Sequence, residues 1–434
     1  MGDPIHYLSF PDFILAFNAD KMVLCPVSCA LKFLMPYIAS YNLDKCKDCG
    51  TCREIVACAG RDDSCIGCGA CALACPYEAI DMVEKERAKE VSIYVDGEKM
   101  VVPDRIPVKE ALNLSGRPLS VMPQKKGISV PCEVGACFSC VVEIDGLIRR
   151  SCVTAVQEGM QIRTSLADDY IPRRIVGGFM GHAVGGVGTP WNLKGGRYIE
   201  VACFAGGCNF RCPQCQNWTT TYGGKGSPLS PEETAYGMTL ARHQFGVDRM
   251  AISGGECTLN RPWLIEYIKA LKRLNLDSVA RFHVDTNGSV LTPDYVDELV
   301  EAGMTDIGID LKGMELSTFQ RITGLIDRAL AQTYLHNAWT AVSYIRDQYK
   351  DRIFLGVGIP YNSVLISLEE VRNIGKRICA IDPEIQVCAL DYRAEFRSHI
   401  KRPSAGEMMR VQNLLKETGL KTVLCQTAHG HVGP

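Results

Sequence analysis

Residues 206–218 read GGCNFRCPQCQNW and carry Cys208, Cys212 and Cys215 at the spacing C-x3-C-x2-C. Three is one short of the four protein ligands that a closed zinc site or an ordinary iron–sulfur cubane takes. Cysteine is not scarce, since the 434 residues hold 22 of them. The flanks place the stretch in a fold. Just before it stands the apolar run YIEVACFAG, and after it RMAISGG, RFHVDTNG, DIGIDLKG, IFLGVGIP and IQVCALDY follow as strand candidates. Amphipathic stretches lie between, with helix starts marked by Ser230-Pro231-Glu232-Glu233, Asn260 before Arg261-Pro262, Thr292-Pro293 and Ser367-Leu368-Glu369-Glu370. Strands alternating with helices give βαβ units and a parallel sheet. About six units predict an α/β partial TIM barrel, (β/α)6, with its chemistry at the C-terminal strand ends.

Each short motif falls at such an end. The three cysteines follow the first strand and SGGE (Ser253 to Glu256) the second. DTNG (Asp285 to Gly288) follows the third, DLK (Asp310 to Lys312) the fourth and GVGIP (Gly356 to Pro360) the fifth. A lone SGGE or DTNG is read blandly as turn glycine; the ordered set is specific because its context agrees. Over roughly residues 197–430 this set resembles the radical S-adenosylmethionine (SAM) superfamily. The resemblance implies that Cys208, Cys212 and Cys215 hold three irons of a [4Fe–4S] cluster, and that SAM occupies the fourth and yields a 5′-deoxyadenosyl radical. It implies that Gly254, Gly255 and Glu256 receive the SAM ammonium, that Phe210 packs near adenine and cluster, and that Val357 and Ile359 lie against the adenine. Asn287 and Lys312 are expected at the ribose or carboxylate. DTNG and DLK look most like pyruvate formate-lyase activating enzyme, which implies a monovalent cation near Asp285, Thr286 and Asp310. Cys257 stands after GGE where proline or alanine is commoner; it is kept as a candidate catalytic residue beside the bland reading of a small buried side chain.

Two cysteine runs precede this half. CKDCGTC with Cys58 gives Cys46, Cys49, Cys52 and Cys58, and CIGCGACALACP gives Cys65, Cys68, Cys71 and Cys75. The second has the bacterial ferredoxin spacing, in which the fourth cysteine of each run ligates the other run's cluster. The expected sets are therefore Cys46, Cys49, Cys52 and Cys75 for one [4Fe–4S] cluster, and Cys65, Cys68, Cys71 and Cys58 for another. The first run departs from the pattern, with five residues between Cys52 and Cys58 and no proline after it. Zinc knuckles, the rival reading, favour two separated CxxC pairs over tight triplets.

Residues 91–164 alternate as hairpins around Asp96-Gly97 and Asp145-Gly146. Among them Cys132, Cys137, Cys140 and Cys152 form C-x4-C-x2-C with a distant fourth, the plant-type [2Fe–2S] arrangement. The segment resembles the β-grasp domain of succinate dehydrogenase iron–sulfur subunits, although there the β-grasp precedes the dicluster part.

The expected organisation is an N-terminal segment of unassigned role (1–44), a small α+β dicluster ferredoxin-like domain (45–88), a β-grasp domain (89–166), a glycine-rich linker (167–196) and the barrel (197–434). The glycine-rich bridge reads equally as a mobile lid or an ordered loop under a cluster. A net charge of −2, with 47% hydrophobic and 22% charged residues, gives no reason to expect nucleic acid. Pro26, Lys32 and Pro36 break the apolar segment 23–41, so no membrane span is expected there. No signal peptide is expected from the opening residues, which points to a cytoplasmic, reducing compartment, where clustered cysteines are metal ligands. Of the remaining cysteines, Cys203, Cys379, Cys388 and Cys425 read as core, and Cys25 and Cys29 as a pair with no assigned chemistry. His429 and His431 read as tail residues rather than ligands, with a C-terminal flap over the barrel mouth as the alternative. The whole predicts a radical SAM oxidoreductase of activating-enzyme type with three [4Fe–4S] clusters, one [2Fe–2S] cluster and SAM. Its donor would be a reduced ferredoxin, a flavoprotein or another redox complex. Its substrate would be a protein such as a glycyl radical enzyme, with a small molecule, or a pure electron-transfer role, as the alternatives.

Overall fold

The computed structural model describes residues 14–18, 21–25, 36–87, 89–117, 119–193 and 197–434. Cys29, the side chain of Cys25 and most of the segment 23–41 lie outside the described residues. Among the described residues no helix is long and apolar enough to cross a membrane.

The first unit is built on one antiparallel pair, Tyr37–Tyr41 with Ile80–Glu84, which brackets two short helices, Thr51–Glu54 and Ala70–Ala74. The strand before Cys46 pairs with the strand after Cys75, so the unit starts near residue 36 rather than 45. The second unit is a five-stranded sheet crossed by helix Val108–Leu114. Asp96-Gly97 and Asp145-Gly146 turn both of its hairpins with positive φ at each residue, as the sequence predicts.

A ten-stranded sheet makes the barrel half. Its parallel strands are Glu200–Ala205, Arg249–Gly254, Arg281–Thr286, Asp306–Asp310, Phe354–Tyr361, Gln386–Asp391 and Val423–Thr427, here called the first to seventh. The six expected strands all form, and the seventh extends them. All four expected helix starts begin helices, and three of them cap. Ser230 and Glu233 make a reciprocal capping box, and Asn260 and Ser367 accept backbone N–H bonds from Trp263 and Glu370. The Thr292 side chain caps no backbone N–H and donates to Asp294. Outward-facing strand residues such as Ile252, Ile307 and Val357 are buried in one core with Trp263 and Trp339 of the helices; each large side chain so buried contributes about 1.5–3 kcal/mol.

The glycine-rich bridge is not a linker. Arg174–His182 is a strand that pairs antiparallel with the first barrel strand. Residues 185–190 then cross the inside of the barrel, where Gly188 lies against Gly308 and His283 of the fourth and third strands. Gly186 N–H reaches Glu200 of the first strand at 3.2 Å, and Gln386 of the sixth donates to Thr189 O at 2.8 Å and accepts from Trp191 N at 2.9 Å. The crossing needs glycines on both sides. A Cβ on Gly356 would run into the Val187 carbonyl, and one on Gly358 would lie 3.1 Å from Val187 Cγ2. The segment is the floor of the barrel.

Candidate active site

A cavity of about 580 Å³ opens above that floor, within the size range of small-molecule sites. Cys208, Cys212 and Cys215 all line it. Burial pushes the Cys212 thiol up to about 12 and the Cys208 and Cys215 thiols upward as well. Such thiols ionise when a metal or cation takes their charge. This donor set of three thiols from one loop, all lining one cavity, fits a metal cluster that keeps a free position. Phe210 and the backbone of Gly254 and Gly255 join the lining, as do Asp285, Thr286, Asn287, Asp310 and Lys312.

Four expected site residues take other places. Glu256 is 1% exposed and does not line the cavity. Its carboxylate accepts from Thr258 N at 3.0 Å, Thr258 Oγ1 at 2.6 Å, Thr286 Oγ1 at 2.7 Å and Asn287 N at 2.7 Å. It therefore clamps the ends of the second and third strands together and presents Thr286 and Asn287 to the cavity. Cys257 is fully buried, and its thiol donates to the Asp285 carbonyl at 3.1 Å; the bland reading of a small core residue fits this position, and a catalytic one does not. Val357 and Ile359 face the helices, because side chains alternate along a strand and Gly356 and Gly358 take the inner positions.

The two aspartates expected beside a monovalent cation already have protein cations. His283 is buried between Glu200 and Asp285, with Nδ1 3.4 Å from Glu200 Oε2 and Nε2 in an ion pair 3.0 Å from Asp285 Oδ1. Burial opposes charge on the ring, but Asp285 and Glu200 outweigh it and raise its pKa to about 10. Lys312 lies 2.8 Å from Asp310 and 2.6 Å from the Tyr392 hydroxyl. Burial disfavours its charge, yet Asp310 and Tyr392 hold its pKa well above the ordinary lysine value. An added cation would meet carboxylates already neutralised, so the site does not fit that cofactor.

Tyr392, Arg393, Glu395, Gln426 and His431 also line the cavity, and sequence reasoning missed them. The signal for the first three was present: YRAEF (Tyr392 to Phe396) places two aromatic and two charged residues just past the sixth strand. His431 comes to the cavity on the hairpin that follows the seventh strand, although it reads as tail.

The four β-grasp cysteines are each 1% exposed. The Cys140 and Cys152 sulfurs are 3.3 Å apart. A hydrogen bond from Cys137, with backbone N–H groups of Cys137, Val134 and Ala136, outweighs burial and lowers the Cys132 pKa to about 5. Converging N–H groups on a sulfur fit a bound iron–sulfur cluster. In the first unit, Cys58, Cys65, Cys68 and Cys71 line one small cavity. Ala79 N–H donates to the Cys75 sulfur from the other side, at 3.3 Å. Cys46 and Cys49 are exposed and Cys52 is half-buried.

Residues 203–371 match the radical SAM superfamily, residues 88–166 the 2Fe-2S iron-sulfur cluster binding domain, and residues 61–81 the 4Fe-4S binding domain. The chain is 35% identical over 121 residues to a probable GTP 3′,8-cyclase of Thermoplasma volcanium, which covers 28% of this chain and 35% of that protein. It is 30% identical over 128 residues to the AdoMet-dependent heme synthase of Methanosarcina barkeri, covering 29% of this chain and 35% of that one. These alignments thus span about a third of the relatives' own length. Among solved structures, Streptococcus suis SuiB aligns with a TM-score of 0.40 at 12% identity, over 53% of this chain and 49% of SuiB.

Proposed function

Because the barrel half of this chain belongs to the radical SAM superfamily, we propose that the protein cleaves SAM reductively to a 5′-deoxyadenosyl radical and that its own N-terminal domains supply the electron. The observation that carries this reading is the cavity in which Cys208, Cys212 and Cys215 meet the polar ends of the second, third and fourth strands. In this reading a [4Fe–4S] cluster on those three cysteines supplies an open coordination position and one electron. The chain's own residues bind and orient SAM. The Gly254-Gly255 backbone and Thr286 receive its ammonium, Lys312 its carboxylate, and Asn287 its ribose, while Phe210 keeps water from the cluster side. Cys132, Cys137, Cys140 and Cys152 hold a [2Fe–2S] cluster. Cys65, Cys68, Cys71 and Cys58 hold one ferredoxin-type [4Fe–4S] cluster, and Cys46, Cys49, Cys52 and Cys75 the other. An external one-electron donor such as a reduced ferredoxin or flavoprotein serves this N-terminal half.

For the hydrogen donor, a small molecule is the first reading. The relatives are named for making small molecules, and Asp285 and Asp310 are paired within the protein rather than free for the cation that the activating-enzyme resemblance implies. Activation of a glycyl radical enzyme is the second reading, supported by DTNG and DLK.

The test is anaerobic. Reduced, iron-loaded protein is given SAM, and 5′-deoxyadenosine is quantified against S-adenosylhomocysteine. Deoxyadenosine is the expected product; its absence from protein with every cluster present and reduced, with and without cell extract, would sink the proposal.

A further inference from the structure

We propose that the β-grasp loop is the last station before the SAM site: the electron leaves at Cys132 and arrives at Cys208, and Gly207 is the spacer that lets the two cysteine loops touch. This rests on the reading above and adds the order of the relay. Gly207 has a φ of +86°, and a Cβ there would lie 3.0 Å from Cys132 Cβ, 3.2 Å from Cys137 N and 3.3 Å from Cys132 Sγ. The residue before Cys208 thus lies flat on the cysteine pair of the other loop. Any other residue would be strained by that φ and would push the loops apart.

The junction is pinned on several sides. Arg211, between Cys208 and Cys212, donates to Cys132 O at 3.0 Å and pairs with Glu133 at 3.5 Å. Asn260, just beyond the second strand, donates to Cys137 O at 2.9 Å, and Ser139 donates to Leu259 O at 2.9 Å. Cys132 and Cys137 are buried, so the gap between the loops is dry. A second route competes. Arg397 donates from its backbone N–H to Pro213 O at 2.9 Å and from Nε to Cys75 O at 2.9 Å, linking the ferredoxin-like unit to the same loop. There the link runs through Arg397 and through helix Ala70–Ala74 against helix Trp218–Tyr222, whereas at Gly207 the backbone beside Cys208 lies directly on Cys132 and Cys137.

The step balances as a single electron. The reduced [2Fe–2S] centre is oxidised, the [4Fe–4S] centre at Cys208, Cys212 and Cys215 is reduced, and no bond or proton moves. A one-electron protein donor restores the first centre through the ferredoxin-like unit.

Two paramagnetic centres this close relax each other, which electron paramagnetic resonance (EPR) reads without turnover. Power saturation of the reduced [2Fe–2S] signal is measured in fully reduced holoenzyme, in Cys212→Ala and in Cys75→Ser. The expected result is loss of the fast-relaxing component in Cys212→Ala and its retention in Cys75→Ser. A saturation curve in Cys212→Ala identical to the unmodified enzyme, or loss in Cys75→Ser alone, would overturn the order. A reductive titration of the unmodified enzyme, before and after the barrel centre is reduced, repeats the comparison should a variant not fold. The parent reading is scored separately, by whether SAM shifts the barrel centre's own signal.

Discussion

Cys132, Cys137, Cys140 and Cys152 are buried and do not line the 580 Å³ cavity, whereas Cys208, one residue beyond the contact at Gly207, lines it together with Cys212 and Cys215. Both loops are short, glycine-bearing and cysteine-rich. One loop has three thiols and is joined by a fourth, Cys152, from beyond the next hairpin; the other has three thiols and an open cavity beside them. On the proposed function, the difference teaches that the fourth cysteine, and not the abundance of sulfur, would separate a centre that passes electrons from one that uses them.

Removing a cysteine from each loop tests that contrast most severely. Cys212→Ala should lower 5′-deoxyadenosine to background while leaving the [2Fe–2S] signal intact. Cys137→Ser should remove the [2Fe–2S] signal and slow turnover driven by a protein donor, yet spare cleavage driven by dithionite; equal losses in both assays would erase the distinction between the loops.

Smaller effects sharpen it on the cavity side. Lys312→Met deletes a buried ammonium and should weaken SAM binding by about tenfold to a hundredfold, the size of one charge-assisted hydrogen bond, as read by anaerobic calorimetry. Glu256→Ala orphans donors on Thr258, Thr286 and Asn287, each costing about 1–3 kcal/mol. It should lower the melting temperature as well as SAM affinity, and a variant that binds SAM less tightly at unchanged stability would mean that the carboxylate meets SAM directly.

The mildest test is a pH profile. His283 has its pKa raised from 6.5 to about 10, so its stabilising charge is fully present below about pH 6.5 and is lost as pH rises through 10. Thermal stability should therefore decline over that window, and His283→Gln should flatten the decline.

Much of this was legible in the sequence, for identifiable reasons. The six strands and their capped helices follow from periodicity and from Ser, Asn and Pro at helix starts, which act locally. The three-cysteine loop and its neighbouring motifs follow from their places at successive strand ends. What the sequence did not disclose depends on orientation or on distant partners. Strand alternation names two faces of GVGIP without saying which looks inward, and Gly356 and Gly358 take the inner one. Glu256 has the composition of a ligand contact, yet four backbone and side-chain donors from beyond the second strand enclose it. The stretch 175–190 is glycine-rich for a reason opposite to that of a linker: its glycines permit tight approach inside the barrel rather than freedom outside it. Val423–Thr427 goes uncounted among the expected strands, although Cys425 within it reads as core, because its partner strand, Gln386–Asp391, is separated from it by a helix.

That stretch has a further consequence. Since Arg174–His182 is a strand of the barrel sheet and the residues after it are the barrel floor, the connection between the cysteine-rich half and the barrel is part of the barrel itself. The two halves have no encounter to make and no complex to dissociate. Communication between their cysteine loops is unimolecular, governed by a fixed local concentration rather than by how much protein the solution holds, and dilution should leave its rate unchanged.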